Sequence, residues 1–150
     1  CLALTAETVT GGGASAGAYD AVMAIHDAAF ENAPPRAEQI SGPIRRCLAF
    51  LEEHLSDHLD VDRLARVASL SRAHFVRKFI AEVGVPPSDY VFAERMRLAE
   101  RLLIATDASV SEIARQAGFA DANYFAKAFR RSANLSPSAF RSARQPARHR

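Results

Sequence analysis

The chain from residue 64 onward is written twice. Leu64-Ala65-Arg66 returns as Ile113-Ala114-Arg115, and Ala68 with Leu70 returns as Ala117 with Phe119, all at an offset of 49. The offset then becomes 50: Phe75 pairs with Phe125, Phe79 with Phe129, Val85 with Leu135, Pro87 with Pro137 and Tyr90 with Phe140. An internal repeat restricts a chain to copies of one supersecondary unit stacked or tethered together. The change of offset places one additional residue in the turn of the second copy. Each copy reads as a short helix, a tight turn, a second helix and a proline-containing exit.

Local chemistry agrees with that reading in both copies. Asp60 stands where it can cap a helix starting at Val61, and Ser109 with Glu112 has capping-box spacing. Ser71 and Asp121 precede the second helix of each copy, where their side chains can accept from its free N–H groups. Gly84 and Asn134 occupy equivalent exits, and these residue types best tolerate a left-handed helix cap. Between the copies, Ser88 to Ile104 reads as one long helix with Phe92, Met96, Ala99 and Leu103 on one side. Upstream, Ile44, Cys47, Leu48, Leu51 and Leu55 form the apolar stripe of another helix opened by Pro43. The expectation is an all-α fold of tandem helix-turn-helix units joined by a long central linker helix.

Net charge is only +2, but its distribution is uneven. Residues 1–60 carry three basic and nine acidic groups, residues 61–109 eight and six, and residues 110–150 eight and two. An acidic head and a basic tail place polyanion contact on the C-terminal side. No apolar run reaches the roughly 18 residues of a membrane span, and no membrane partner is expected. Cys1 and Cys47 form no disulfide framework and no ligand set, which is the usage of a reducing, cytoplasmic compartment. His54 and His58 are an i, i+4 pair without a third ligand in view, so no metal and no cofactor is expected.

In a helix-turn-helix the first helix braces the second, whose outer face enters the major groove. Packing Leu64, Ala65, Ala68, Leu70, Phe75 and Phe79 inward leaves Arg72, Ala73, Val76 and Arg77 outside. Packing Ile113, Ala117, Phe119, Phe125 and Phe129 inward leaves Ala122, Asn123, Ala126 and Lys127 outside. These eight are the candidate base-reading residues. Arg77 and Lys127 suit guanine, Asn123 suits adenine, and the apolar side chains suit thymine methyl groups. Ser71, Arg130, Arg131, Arg141 and Arg144 are the candidate phosphate contacts, which set register without reading sequence. Phe75, Phe79, Phe125 and Phe129 have the spacing of core residues rather than of base-stacking aromatics.

At these residues the chain resembles the AraC/XylS family of transcription regulators. Residues 113–141, IARQAGFADANYFAKAFRRSANLSPSAFR, follow the family signature of IA, GF, YF, F with basic residues, P and a terminal FR. LARVASLSRAHFVRKFIAEVGVPPSDYV and the linker segment RMRLAERLL are similar to other family segments. The resemblance covers about residues 43–143 and places an AraC-type tandem helix-turn-helix DNA-binding domain at 43–145. It implies a homeodomain-like arrangement of seven helices, two units joined by a long helix, and control of transcription, as an activator or a repressor. Two departures stand out: Ser69 takes the usual glycine position of the first turn, and Asn134 the glycine position after the second recognition helix.

Residues 1–40 read as the tail of an upstream domain or a linker with one helix, Tyr19 to Phe30, ending at Asn32-Ala33-Pro34-Pro35. TVTGGGASAGAYDAVMAIHDAAF resembles the C-terminal edge of the class I glutamine-amidotransferase-like sensors fused to some family members; a linker with a transient helix is the alternative. No nucleophile, base and orienting group occur together there, so an enzyme is not expected. The expected partners are double-stranded DNA, RNA polymerase and an effector-sensing domain upstream. The competing reading is a helical protein-interaction module that has lost DNA binding.

Overall fold

A computed structural model describes residues 40–145 of the protein. Seven helices follow in order: α1 Gly42–His54, α2 Val61–Val67, α3 Arg72–Val83, α4 Pro87–Ala105, α5 Val110–Gln116, α6 Ala122–Ala133 and α7 Pro137–Arg144. All regular structure among the described residues is helical, and no helix there is long and apolar enough to cross a membrane. The Tyr19–Phe30 helix expected from sequence lies outside the described residues.

The ends of the helices are set by the residues their sequence positions advertise. Asp60 accepts from the Arg63 N–H at 2.6 Å, and Ser109 forms a reciprocal capping box with Glu112. Ser71 accepts from the His74 N–H, and Asp121 from the Asn123 and Tyr124 N–H groups. Each bond satisfies a first-turn donor that has no partner inside the helix. Gly84 and Asn134 both close their helices in the left-handed conformation, at φ 92° and 56°. Pro87 and Pro137 then open α4 and α7 at positions where a missing N–H costs nothing.

The repeat is a repeat of packing. Phe75 and Phe79 pack one turn apart with tilted rings and centroids 5.5 Å apart, and Phe125 and Phe129 do the same at 5.6 Å. Phe79 meets Tyr90 edge-on at 5.6 Å, and Phe129 meets Phe140 edge-on at 5.3 Å. Two main cores result among the described residues, with a small third cluster of Val85 and Ala93 against Val83 and Tyr90. The first gathers Ile44, Cys47 and Leu51 of α1, Leu64 and Ala65 of α2, Phe75 and Phe79 of α3 and Val91 of α4. The second gathers Met96, Ala99 and Leu103 of α4, Ile113 and Ala114 of α5, Phe125 and Phe129 of α6 and Phe140 of α7. The linker helix thus serves twice. Its first turns close the first unit as α7 closes the second, and its later turns brace the second unit as α1 braces the first. At 19 residues it is about 28 Å long.

Cys47 is fully buried in the first core, where burial pushes its thiol up to about 11 and keeps it a neutral packing residue. The start of α1 is tied to the end of α3, because the Ser41 N–H and hydroxyl both donate to the Glu82 carboxylate, at 2.8 and 3.0 Å. Glu82 also pairs with Lys78 at 2.8 Å.

The additional residue of the second turn is Ala120. Four residues separate α2 from α3 and five separate α5 from α6, while the left-handed positions Ser69 (φ 58°) and Gly118 (φ 85°) are equivalent. A side chain in that region costs roughly 1–2 kcal/mol, and glycine returns part of it as unfolded-chain entropy. Ser69 is exposed, so Ser69→Gly loses no packing. Urea unfolding is expected to show Ser69→Gly more stable by about 0.5–1 kcal/mol; a loss of stability would show that the serine side chain makes a contact worth more than its strain.

Candidate nucleic-acid interface

The second helix of each unit presents one face away from its core. On α3, Arg72, Ala73 and Arg77 are exposed, whereas Val76 is half-buried and packs against the first core. On α6, Asn123 and Lys127 are exposed, whereas Ala122 and Ala126 are half-buried, Ala122 against the second core. By the offset of 50, Ala73 corresponds to Asn123 and Arg77 to Lys127. The two units therefore display a polar or small group in the first turn and a cation one turn later, on equivalent helix faces.

The cations differ in how freely they are held. Arg77 and Lys127 enter no ion pair or hydrogen bond with the described residues. Arg72 is paired with Asp62 of α2 at 2.7 Å, both side chains being about half exposed. Asp62 has Ser111 as its counterpart in the second unit, so the pair belongs to the first unit alone. Lys78, the other cation of α3, is occupied by Glu82. On α6, Arg130 and Arg131 join Lys127 as exposed cations, and they lie in the last turn, where positive charge also complements the helix dipole. The second unit therefore carries the larger unneutralised positive charge.

The remaining sequence-selected residues divide. Ser71 is exposed, with its hydroxyl oxygen engaged by the His74 N–H. Arg144 is exposed and lies over the Phe140 ring, with 4.8 Å from the guanidinium carbon to the ring centroid. Arg141, grouped by sequence with the phosphate contacts, does not join them on that surface. It is half-buried, and its guanidinium donates to the Ala108 carbonyl in the connection between α4 and α5. Its position follows from α7 packing back on α4, which also brings the Gln145 amide against the Leu103, Ile104 and Thr106 carbonyls. Arg141 and Gln145 together fasten the last helix to the end of the linker.

Two exposed side chains on these faces were not singled out from sequence. His74 and Tyr124 are equivalent by the offset of 50 and lie in the first turns of α3 and α6. Tyr124 is 56% exposed, with its ring tilted against Phe119 at 6.4 Å. The sequence signal that could have found it is its register with His74, a residue that does not belong in an apolar core.

Between the units lies an open cleft of about 800 Å³ floored by α4, with Asp60 and Arg72 on one wall and Asp121 and Tyr124 on the other. No group of three or more metal-ligating side chains occurs among the described residues.

Residues 64–143 match the helix-turn-helix domain family. The chain is 36% identical over 107 residues to the HTH-type transcriptional activator RhaS of Escherichia coli O139:H28 (strain E24377A / ETEC), an alignment covering 71% of this chain and 38% of RhaS. It is also 36% identical over 93 residues to the MmsAB operon regulatory protein of Pseudomonas aeruginosa, covering 62% of this chain and 30% of that protein. The chain thus spans well under half the length of these relatives. Among solved structures, the DNA-binding domain of AdpA in complex with a target DNA is 37% identical, with a TM-score of 0.66 over 69% of this chain and 93% of that one. An AraC-type regulator from Chromobacterium violaceum is 26% identical, with a TM-score of 0.64 over 70% of this chain and 94% of that one. With the family match spanning residues 64–143 and the AdpA domain covered almost end to end, the chain belongs to the AraC-type helix-turn-helix family.

Proposed function

We propose that residues 43–145 bind promoter DNA sequence-specifically, inserting α3 and α6 into adjacent major-groove segments about one helical turn, roughly 34 Å, apart. The observation that carries this reading is the pair of equivalent exposed faces, each with an unpartnered cation, Arg77 on one and Lys127 on the other. Arg77 and Lys127 are the guanine readers and Asn123 the adenine reader. Ala73 offers an exposed methyl to thymine, and Val76, Ala122 and Ala126 offer the edges that packing leaves outside. Arg72 becomes a base or phosphate contact once Asp62 releases it. Ser71, Arg130, Arg131 and Arg144 hold phosphates, and Arg141 orients α7 instead.

The likeness to the transcriptional activator RhaS and to the DNA-bound domain of AdpA supports transcription control as the purpose of that binding. RNA polymerase and an effector-sensing domain are the partners we assign to the full-length regulator, and the cytoplasm is its compartment. Catalysis is no part of this reading.

The test is a titration of the chain against duplexes selected by it from a random-sequence library, at several salt concentrations. With Arg130, Arg131 and Arg144 on phosphates, joined by Arg72 when Asp62 releases it, affinity is expected to fall on the order of 10²-fold between about 50 and 200 mM salt, with preference for the selected sequence retained. A complex with neither salt dependence nor sequence preference would return the chain to the protein-interaction reading.

A further inference from the structure

Among the described residues, one junction between the two units belongs to neither core. Helix α1 ends at His54, and the carbonyls of its C-cap Leu55 and of Asp57 just beyond it are within reach of α4. Arg95 of α4 meets them there: its Nε donates to the Leu55 carbonyl at 3.0 Å and its Nη2 to the Asp57 carbonyl at 2.7 Å. A guanidinium at the end of α1 satisfies acceptors that have no helical donor, with the sign the helix dipole favours. The second unit then leans on this clasp. At Gly118, in the turn between α5 and α6, a Cβ would lie 2.6 Å from the Leu55 carbonyl oxygen and 2.7 Å from Arg95 Nε. A contact that close leaves no room for any side chain.

Comparison of the two turns separates this effect from backbone conformation. Ser69 holds the equivalent left-handed position of the first unit with an exposed side chain. A left-handed turn therefore does not by itself require glycine in this chain. What is particular to Gly118 is the clasp beneath it. The first and second units also face each other across the open cleft, and both Arg95 and Gly118 form part of its lining. The two cores share only the linker helix.

We propose that Arg95 is a positioning residue for DNA recognition: by tying the end of α1 to the turn at Gly118, it fixes the angle between α3 and α6 and thereby the spacing of the two DNA segments the chain accepts. The proposal rests on the DNA-binding reading above. One base pair inserted between the contacted segments displaces the second by about 3.4 Å and rotates it by about 34°, so a rigid pair of readers tolerates little change.

Two measurements test it. The first needs no DNA. Spin labels at the equivalent exposed positions Ala81→Cys and Arg131→Cys, in a Cys1→Ser background, report the distance between the recognition helices. The unaltered clasp is expected to give one narrow distribution, and Arg95→Met a broad one. The second uses a duplex selected by the unaltered chain and the same duplex with one base pair inserted or removed between the contacted segments. The unaltered chain is expected to lose about tenfold or more on insertion, and Arg95→Met less than about threefold. Gly118→Ala, which presses the same junction from the other side, is expected to shift the distance distribution and the preferred spacing. Thermal unfolding of each variant identifies any that fail to fold, leaving the other to decide the question. A narrow, unchanged distribution together with an unchanged spacing profile in the folded variants overturns the proposal. Failure of the unaltered chain to select any duplex overturns the DNA-binding reading itself, a result separable from the distance measurement.

Discussion

Replacing Arg77 and Lys127 together with alanine is expected to weaken binding to a selected duplex by on the order of 10²–10⁴-fold. A good side-chain contact to a base edge contributes about 1–3 kcal/mol of discrimination, and the two residues lie on different helices with separate cores, so their losses should nearly add. The single changes should not be equal in kind. Arg77 is the one α3 cation held by no acidic neighbour, since Arg72 is paired with Asp62 and Lys78 with Glu82. Its removal should flatten sequence preference over one half of the site. Lys127 has Arg130 and Arg131 beside it, and their phosphate contacts should retain residual affinity when the lysine is lost. Both side chains are exposed and unpartnered, so folding stability should move by no more than about 0.5 kcal/mol. Fluorescence anisotropy against the selected duplex and point-substituted versions of it measures both effects. Unchanged affinity in the double variant, with the fold intact, would remove α3 and α6 from the recognition role.

The repeat made most of this architecture legible before any coordinates. Residues whose role is local carried the strongest signals: Ser71 and Asp121 as caps, Gly84 and Asn134 as left-handed exits, and the shift of offset that Ala120 turns out to produce. Periodicity also separated core from surface on each helix, because burial follows 3.6-residue spacing. It could not see where a long side chain ends. Arg72 and Asp62 are ten residues apart across a turn, Arg141 and Ala108 thirty-three apart, and Arg95 and Leu55 forty apart. These partners are brought together by the packing of helices that periodicity treats one at a time. A flexible cation looks the same in sequence whether it faces water, an acid or a carbonyl. The half-burial of Val76, Ala122 and Ala126 escaped for a related reason, since a residue at the edge of an apolar stripe belongs to both faces. Asymmetry between the units was visible as an uneven charge distribution, and the ion pairs on α2 and α3 deepen it.

Phe129→Ala is expected to have the largest effect on stability, and to have it unevenly along the chain. The ring is fully buried, with Phe125 at 5.6 Å on one side and Phe140 at 5.3 Å on the other. It joins α6 to α7, within a core completed by Met96, Leu103 and Ile113. Truncating a buried phenylalanine to alanine costs about 3–5 kcal/mol, from lost transfer energy and the cavity that remains. For a domain of this size total stability is on the order of 5–15 kcal/mol, so most of the margin of the second unit would be consumed. The first core contains none of these residues and is braced by α1 rather than by the end of α4. Hydrogen exchange should therefore lose protection across α5, α6 and α7 while α1, α2 and α3 retain theirs, a division along the repeat boundary. Phe79→Ala should produce the complementary pattern. Helix α4 decides how sharp the division is, because Val91 belongs to one core and Met96 to the other, five residues further along the same helix. Equal loss of protection in both units would mean that α4 and the junction at Arg95 weld them into one cooperative block; loss confined to one unit would mean that each reader folds on its own and only the geometry between them is shared.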